Sequence, residues 1–181
     1  MKDDLQGWIN LYKPTNISSF FAIKKIKSKF GIKKIGHAGT LDPLAKGILP
    51  IAVGKATKLI PFINIKKKYI FTIKWGEQTS TDDKEGHVIK KTNKIPTKDE
   101  INYKLKEFIG DIDQTPPFAS SVKVDGQRSY KLFRLNQEFK LKPKKVFVKN
   151  IKLIEFKNKN ISKFAIECGK GFYVRSFARD I

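Results

Sequence analysis

The stretch that decides the fold is GHAGTLDPLAKGILPIAVGKATKLI, residues 36–60. Its first eight residues contain glycines at positions 36 and 39 and end in an Asp-Pro pair. This part is too rich in turn-forming residues for a regular helix or strand, and its edges are too apolar for a flexible linker. It predicts an ordered loop that is buried or lines a cleft. A short apolar run over residues 48–53 and a helix over about 55–62 are expected to follow.

Asp42 lies inside this loop, with Gly36, Gly39 and Gly47 on its two sides and Lys46 close in sequence. A carboxylate presented from a rigid Gly/Pro loop is aimed at a substrate atom at low entropic cost. Asp-Pro is also a common turn pair. The residues alone therefore leave two interpretations of Asp42 open, a catalytic carboxylate and a turn residue.

Helices and strands alternate on both sides of the loop. Upstream, serines at positions 18 and 19 offer caps for a helix with apolar residues at helical spacing and a stop at Gly31. Downstream, Tyr69, Phe71, Ile73 and Trp75 share one face at period two, which predicts a strand over residues 68–75. Next come a polar loop at 79–86 and a helix that has a capping box at Thr97 and Glu100 and closes at Gly110. An extended segment at 118–124, a tight turn at Asp125-Gly126 and a short helix at 129–135 follow. The chain then forms a hairpin, with strands at 145–156 and 161–168 joined by a turn at 157–160, and a last helix after Gly171. This pattern, without repeats, indicates an α+β fold.

Charge is the unusual property of the composition. The 181 residues include 38 Lys and Arg against 17 Asp and Glu, a formal net charge of +21. Such an excess favours a polyanionic partner, and nucleic acid is the first candidate. A lysine-rich, solvated surface is the alternative, and composition does not decide between the two.

Cysteine usage and the N-terminal residues bear on compartment and cofactors. The single cysteine, Cys168, cannot form an intramolecular disulfide, and no Cys-x-x-Cys or Cys/His cluster indicates a metal site. Residues 1–14 contain no apolar run long enough for a signal peptide or a membrane span. These features predict a cytoplasmic protein without a metal and without membrane association.

The stretch at 36–60 closely resembles the signature loop of the TruB family of tRNA pseudouridine-55 synthases. Four more blocks resemble the family in the family's order: GWINLYKP at 7–14, Tyr69 before Gly76, PPFASSVKVDGQRSY at 116–130, and GKGFYVRS at 169–176. Five ordered blocks cover nearly the whole chain. The resemblance implies the pseudouridine synthase fold, a mixed and largely antiparallel sheet flanked by helices, and one catalytic domain over residues 1–181.

Carried onto this sequence, the resemblance implies that Asp42 is the catalytic carboxylate and that Arg175 pairs with it. An ion pair fixes the direction of a carboxylate within a partly dry pocket. Tyr69 resembles the tyrosine that stacks on the target base and helps to move a proton at its C5. Without the resemblance, two alternative interpretations stay open. Arg175 would be a phosphate contact or a surface arginine, and Tyr69 an ordinary cross-strand aromatic.

Three further residues resemble ones that border the substrate in the family. Tyr173 is similar to a pocket aromatic, His37 to a histidine that helps to displace the target base, and Lys13 to the lysine of a Lys-Pro element, which is supporting rather than catalytic. The alternatives are a packed aromatic, a locally hydrogen-bonded histidine and a solvated lysine beside a turn. Tyr12 stands where the family usually has an acidic residue and Asn16 where glycine is common, and neither touches the implied chemistry.

The implied activity is isomerisation of one uridine in the T-arm loop of tRNA. The N1–C1′ bond breaks, the uracil turns, and C5 joins C1′, without cofactor or metal. The base must leave its stack, and aromatics such as Tyr69 replace the lost stacking. Attack of Asp42 on C1′, its addition to C6, and its removal of the C2′ proton all stay open. Two-carboxylate glycosidase chemistry is disfavoured because no second acid accompanies Asp42 in the stretch at 36–60.

Three alternative functions stay beside this one, and the plainest, a generic basic ribosomal-type protein, gives no reason for the Asp42 loop. Guide-dependent synthases of archaea and eukaryotes share the Asp loop but act on ribosomal RNA with partner proteins, whereas compact length and the helix at 97–110 favour a stand-alone, monomeric bacterial enzyme. The third alternative is a folding factor that binds tRNA and catalyses no reaction. The intact set of Asp42, Tyr69 and Arg175 argues against it, because binding alone does not require these residues. Family members continue beyond the helix that ends here at Ile181, so the chain is expected to lack the family's C-terminal segment.

Overall fold

The computed structural model describes residues 5–157 and 160–181. The sequence predicts one domain over residues 1–181, and the chain folds as two compact units, Met1–Asn64 and Ile65–Ile181. Each unit contains helices and an antiparallel sheet, which agrees with the predicted α+β class. No helix in the described part of the chain is long and apolar enough to cross a membrane.

The first unit is built around a three-stranded sheet. In chain order it contains β1 (Gly7–Lys13), α1 (Ser19–Phe30), β2 (Ile35–His37), β3 (Gly47–Val53) and a 3₁₀ helix (Gly54–Phe62). The order in the sheet is β1-β3-β2, and both pairings are antiparallel. Its small aliphatic core consists of Ile23, Ile32, Leu49, Ile51 and Val53.

The ends of α1 follow from local signals in the sequence. Ser18 is the N-cap, and its hydroxyl accepts a hydrogen bond from the Phe21 N–H at 3.1 Å. Gly31 ends the helix in the left-handed conformation, with φ of 62°. The helix expected over residues 55–62 is a 3₁₀ helix, and Pro61 inside it has no N–H for an α-helical bond.

Over its described residues, the second unit contains a four-stranded antiparallel sheet, two short hairpins and three α-helices. In chain order its elements are β4 (Lys67–Lys74), β5 (Glu77–Thr79), β6 (Val88–Lys91), α2 (Lys98–Leu105), a 3₁₀ turn (Lys106–Phe108), β7 (Gly110–Gln114), β8 (Lys123–Val124), β9 (Gln127–Arg128), α3 (Ser129–Arg134), β10 (Lys144–Lys157), β11 (Ile161–Cys168) and α4 (Val174–Asp180). The large sheet has the order β4-β11-β10-β7, and β5-β6 and β8-β9 are the hairpins.

Aromatic rings fill the core between this sheet and α4. Phe177 of α4 is fully buried, and its ring centroid lies 4.9 Å from that of Phe108, 5.6 Å from that of Phe71 and 5.9 Å from that of Phe164. The predicted inner face of β4 is confirmed, because Tyr69, Phe71, Ile73 and the following Trp75 all belong to or pack against this core. The position of α4 is therefore set by ring packing.

Most other predicted elements of the second unit are present with changed limits. The capping box at Thr97 is confirmed, but α2 ends at Leu105 and Gly110, with φ of 93°, begins β7. The predicted polar loop at 79–86 lies within the β5-β6 hairpin, whose strands the pattern did not predict. The predicted extended segment at 118–124 shrinks to β8, while the turn at Asp125-Gly126 and the helix α3 are confirmed. The long hairpin is β10-β11, and residues 158 and 159 of its predicted turn lie outside the described residues.

Candidate active site

The predicted site residues are divided between the two units. Lys13, His37 and Asp42 belong to the first unit. Tyr69, Tyr173 and Arg175 belong to the second. The predicted pairing of Arg175 with Asp42 concerns residues of different units and stays a prediction.

The loop that carries Asp42 connects β2 to β3 and is held on its N-terminal side by a serine. The Ser19 hydroxyl donates to the Leu41 carbonyl oxygen at 2.9 Å and accepts from the Leu41 N–H at 3.0 Å. Ser19 is only 2% exposed. Both backbone polar groups of the residue before Asp42 are therefore bonded to one buried side chain.

The C-terminal side of Asp42 is held by the segment between β1 and α1. The Pro43 carbonyl oxygen accepts from the Asn16 N–H at 2.8 Å and from Lys13 Nζ at 3.3 Å. The Asp42 carbonyl oxygen accepts from the Ala45 N–H at 3.0 Å. Asp42 itself is half-buried. Anchored neighbours on both sides restrict where its side chain can point.

Lys13 is fully buried at the end of β1. Its Nζ donates to the carbonyl oxygens of Pro14 and Ile17, each at 2.8 Å, in addition to Pro43. Burial lowers the pKa of Lys13, and attraction to the Asp42 carboxylate opposes this shift. All three ammonium protons are thus donated inside the unit. Lys13 therefore supports the Asp42 loop. Its contact with substrate stays a prediction, and an ammonium group whose protons are already donated to carbonyl oxygens does not favour that contact.

His37 is the last residue of β2 and lies opposite Ile51 in the sheet. Its Nδ1 donates a hydrogen bond to the Gly39 carbonyl oxygen, which can only accept. The histidine thereby fixes the first turn of the Asp42 loop. Its predicted part in displacing the target base stays a prediction.

Tyr69 and Tyr173 are held by different elements of the second unit. Tyr69 lies on β4 opposite Ile166, and its half-buried ring packs against the aromatic core. Tyr173 is the N-cap residue of α4. The buried Gln114 side chain accepts from the Tyr173 N–H at 2.8 Å and donates to its carbonyl oxygen at 3.1 Å. These two hydrogen bonds fix the backbone from which α4 begins.

Arg175 lies in the first turn of α4, and its side chain is 11% exposed. Its Nη1 donates to the carbonyl oxygens of Thr81 at 3.1 Å and Ala119 at 3.2 Å, and Nη2 donates to Ala119 at 3.2 Å. Its Nε lies 3.8 Å from the Asp83 carboxylate. These contacts set the plane and direction of the guanidinium group.

Arg179, one helical turn later, contacts the same two segments. It donates to the Asp82 carboxylate at 3.2 Å and to the Thr115 carbonyl oxygen at 2.8 Å. Burial raises the pKa of the Asp82 carboxyl, and the nearby Arg179 and Arg175 charges oppose this shift. Two arginines spaced by four residues therefore tie α4 to the loops at 81–83 and 115–119.

Sequence reasoning missed five residues that build this region. The sequence indicated Ser19 only as an alternative helix cap, and it indicated Asp82 and Asp83 only as members of a polar loop. Gln114 and Arg179 had none. Their partners are 22 residues away for Ser19, 59 for Gln114 and 97 for Arg179. Neither helical nor strand periodicity reports contacts at such separations.

The fold and the electrostatics describe a class of protein. Residues 5–157 and 160–181 contain no group of three or more His, Cys, Asp and Glu side chains arranged to hold a metal ion. The Asp42 carboxylate is presented from a loop anchored on both sides, in a strongly basic α+β protein. The fold and this loop together define a basic α+β protein that presents a carboxylate from an anchored loop.

Comparison with known families gives the particular family. Residues 27–174 match the TruB family pseudouridylate synthase (N terminal domain), and the chain belongs to that family. The tRNA pseudouridine synthase B of Ehrlichia ruminantium (strain Gardel) is 50% identical over 179 residues, which cover 98% of this chain and 60% of that protein. The tRNA pseudouridine synthase B of Wolbachia pipientis subsp. Culex pipiens (strain wPip) is 52% identical, with 98% and 51% covered. The chain thus spans between half and three-fifths of the length of these relatives.

Solved structures confirm the predicted fold. A chain of a Cbf5-Nop10-Gar1 complex superimposes with a TM-score of 0.65 and 27% identity, over 95% of this chain and 42% of that one. A chain of an H/ACA RNP bound to a substrate RNA containing 2′-deoxyuridine gives a TM-score of 0.63 at 23% identity, over 98% and 42% of the two chains. The latter likeness concerns the fold alone.

Proposed function

We propose that this chain carries the catalytic machinery of a tRNA pseudouridine synthase that isomerises uridine 55 in the T-arm loop. The observation that carries the proposal is the Asp42 loop, which lies within the residues that match the family and is anchored at Leu41 and Pro43. Relatives that share about half of the residues are named tRNA pseudouridine synthase B. A net charge of +21 suits a polyanionic substrate.

The reaction exchanges one glycosidic bond for another. The N1–C1′ bond breaks and the C5–C1′ bond forms, while C5 loses a proton and N1 takes one up, so the product is an isomer of the starting uridine. Because the uracil must be extruded from its stack, we assign Tyr69 and Tyr173 to the pocket that receives it and His37 to its displacement. Asp42 is the carboxylate that acts on the nucleotide. Lysine and arginine side chains hold the RNA backbone, and no resident cofactor is assigned.

We assign to Arg175 the partnership with Asp42. Its bonds to Thr81 and Ala119 and its proximity to Asp83 hold the guanidinium in a fixed plane before substrate arrives. A fixed guanidinium directs a carboxylate at a lower entropic cost than a mobile lysine does. Monomeric action in the cytoplasm, without a membrane partner, completes the proposal.

Replacement of Asp42 by asparagine tests the proposed activity. Asp42→Asn keeps the size of the side chain and removes its negative charge, so turnover should fall by about a thousandfold or more, the scale seen when a catalytic group is lost. The measurement is tritium release from tRNA labelled at uridine C5. The matched control is Asp125→Asn in the exposed β8-β9 turn, which should retain parental turnover.

Binding and folding measurements complete that test. Affinity of Asp42→Asn for the same tRNA and its thermal midpoint should stay near the parental values, since the residue is only half-buried. Residual turnover within tenfold of the parent would remove Asp42 from the catalytic role. No turnover in the parental chain, with tRNA still refolded by it, would favour a folding factor without chemistry.

A second candidate is a guide-dependent ribosomal RNA synthase that acts with partner proteins, and the likeness to a chain of the Cbf5-Nop10-Gar1 complex, which is an assembly of several proteins, is the observation that keeps it. Identity favours the tRNA enzyme, because it is 50% and 52% to the two tRNA pseudouridine synthases and 27% to the complex chain. A tRNA transcript incubated with this chain alone separates the candidates. Turnover without guide RNA or partner proteins supports the tRNA enzyme, and turnover only in their presence supports the second candidate.

A further inference from the structure

We propose that Ser19 is a positioning residue for the Asp42 carboxylate. The proposal rests on the proposed function of Asp42 and adds a residue to it. Ser19 is the first residue of α1 and is 2% exposed, a burial that is unusual for a serine at a helix start. Its hydroxyl is bonded across 22 residues of sequence to Leu41, the residue before Asp42.

The neighbouring serine shows that Ser19 is not needed as the helix cap. Ser18 accepts the hydrogen bond from the Phe21 N–H and has the extended backbone of an N-cap, with φ of −72° and ψ of 154°. Ser19 instead uses its one hydroxyl proton on the Leu41 carbonyl oxygen and a lone pair on the Leu41 N–H. Two adjacent serines therefore have different partners, one inside the helix and one in the Asp42 loop.

The bonds made by Ser19 oppose those made on the other side of Asp42. Lys13 Nζ and the Asn16 N–H hold the Pro43 carbonyl oxygen, while Ser19 holds both polar groups of Leu41. The backbone of Asp42 is thus suspended between two anchored residues. Loss of the Ser19 hydroxyl would free the peptide plane on the N-terminal side, and the direction of the Asp42 side chain depends on that plane.

The expected effect falls on the reaction rather than on RNA binding. A misplacement of about 1 Å in a reacting group costs about a hundredfold in rate. We therefore expect Ser19→Ala to lower kcat by about 10- to 100-fold and to leave KM within about twofold. The matched control is Ser18→Ala, which removes the same hydroxyl from the adjacent residue. It should lower the thermal midpoint through loss of the cap and leave kcat unchanged.

Amide hydrogen exchange gives a second measurement that does not depend on activity. In Ser19→Ala the Leu41 amide should exchange at least about tenfold faster than in the parent, and the Phe21 amide should not change. Ser18→Ala should give the opposite result, faster exchange at Phe21 and an unchanged Leu41. NMR of the uniformly labelled 181-residue chain resolves both amides in each variant.

The results separate this proposal from the proposed function. Turnover in the parent, with a kcat loss and faster Leu41 exchange confined to Ser19→Ala, supports the positioning role. Equal kcat in the two serine variants, a loss entirely in KM, or unchanged Leu41 exchange overturns it while the proposed function stands. General loss of amide protection in Ser19→Ala would also overturn it, because the hydroxyl would then serve folding. Absence of tritium release from the parent overturns the proposed function and the positioning role together. Leu41 exchange then reports only whether the hydrogen bonds between Ser19 and Leu41 form.

Discussion

The two units hold their functional side chains by different physical means. In the first unit Asp42 lies on an irregular loop, and its neighbours are held by hydrogen bonds from the buried Ser19 and Lys13. In the second unit Tyr69 and Arg175 lie on a regular strand and a regular helix that pack on an aromatic core. The first unit orients its functional loop mainly through directional polar contacts, whereas the second unit adds the packing of an aromatic core to the hydrogen bonds of Arg175 and Arg179.

This difference predicts different sensitivities to substitution. A hydrogen bond is lost completely when its donor is removed, and a buried acceptor left behind has no substitute partner. Ring packing is spread over many weak contacts, so damage grows with the volume removed. Two tryptophans allow the units to be followed separately, because Trp8 lies on β1 and Trp75 follows β4. In a Trp8→Phe background Trp75 reports the second unit, and in a Trp75→Phe background Trp8 reports the first.

The largest stability effect is expected from Phe177→Ala in the second unit. Phe177 is fully buried among the rings of Phe71, Phe108 and Phe164, so its loss should reduce the free energy of unfolding by about 3–5 kcal/mol. Urea denaturation followed by Trp75 fluorescence measures it. The control Tyr103→Ala removes a ring that is 71% exposed and should cost under about 1 kcal/mol. Equal losses in both variants would contradict a packing-based second unit.

A smaller loss, by a polar mechanism, is expected from Lys13→Met in the first unit. Methionine fills a similar volume but donates to none of the carbonyl oxygens of Pro14, Ile17 and Pro43. The free energy of unfolding should therefore fall by about 2–3 kcal/mol. Trp8 fluorescence during urea denaturation is the measurement. Lys46→Met, at an exposed lysine of the same loop, should change stability by less than about 0.5 kcal/mol. A Lys13→Met chain as stable as the parent would show that volume, not hydrogen bonding, holds this unit as well.

The smallest effect concerns the thiol of Cys168 at the end of β11. Burial raises the pKa of Cys168 to about 11 from 9.0, and attraction to Lys67 opposes this shift. The folded state thus holds the proton more tightly than the unfolded state. Stability from this group is fully present below pH 9 and is lost as the pH rises towards about 11. A Cys168→Ala chain should lose less stability over that interval than the parent.

Thiol labelling at pH 8 sharpens the comparison between the units. The raised pKa and the 3% exposure of Cys168 should make its reaction with a disulfide reagent at least about a hundredfold slower than in urea-unfolded chain. Val53→Cys in the Cys168→Ala background places a comparable reporter at a 4% exposed site of the first unit. The ratio of the two rates compares local opening of the units. Native labelling of Cys168 at the unfolded rate would contradict a tightly packed sheet end.

Features governed by residues a few positions apart were fixed by the sequence alone. The Ser18 cap, the Gly31 stop, the capping box of α2 and the inner face of β4 all follow from such local rules, and the structure confirms them. The stretch at 36–60, with the four other blocks, was sufficient to indicate the family to which the chain belongs.

Tertiary structure alone decided which polar groups distant in sequence meet. The bonds of Ser19 to Leu41, Gln114 to Tyr173 and Arg179 to Asp82 join residues 22, 59 and 97 positions apart. It also buried Lys13, a residue whose charge predicts exposure, because the Pro43 carbonyl oxygen joins the local acceptors of Pro14 and Ile17 only after the Asp42 loop folds against the end of β1. Local propensity fixes the backbone over a few residues, whereas such contacts require the chain to close on itself, and no short pattern encodes that closure.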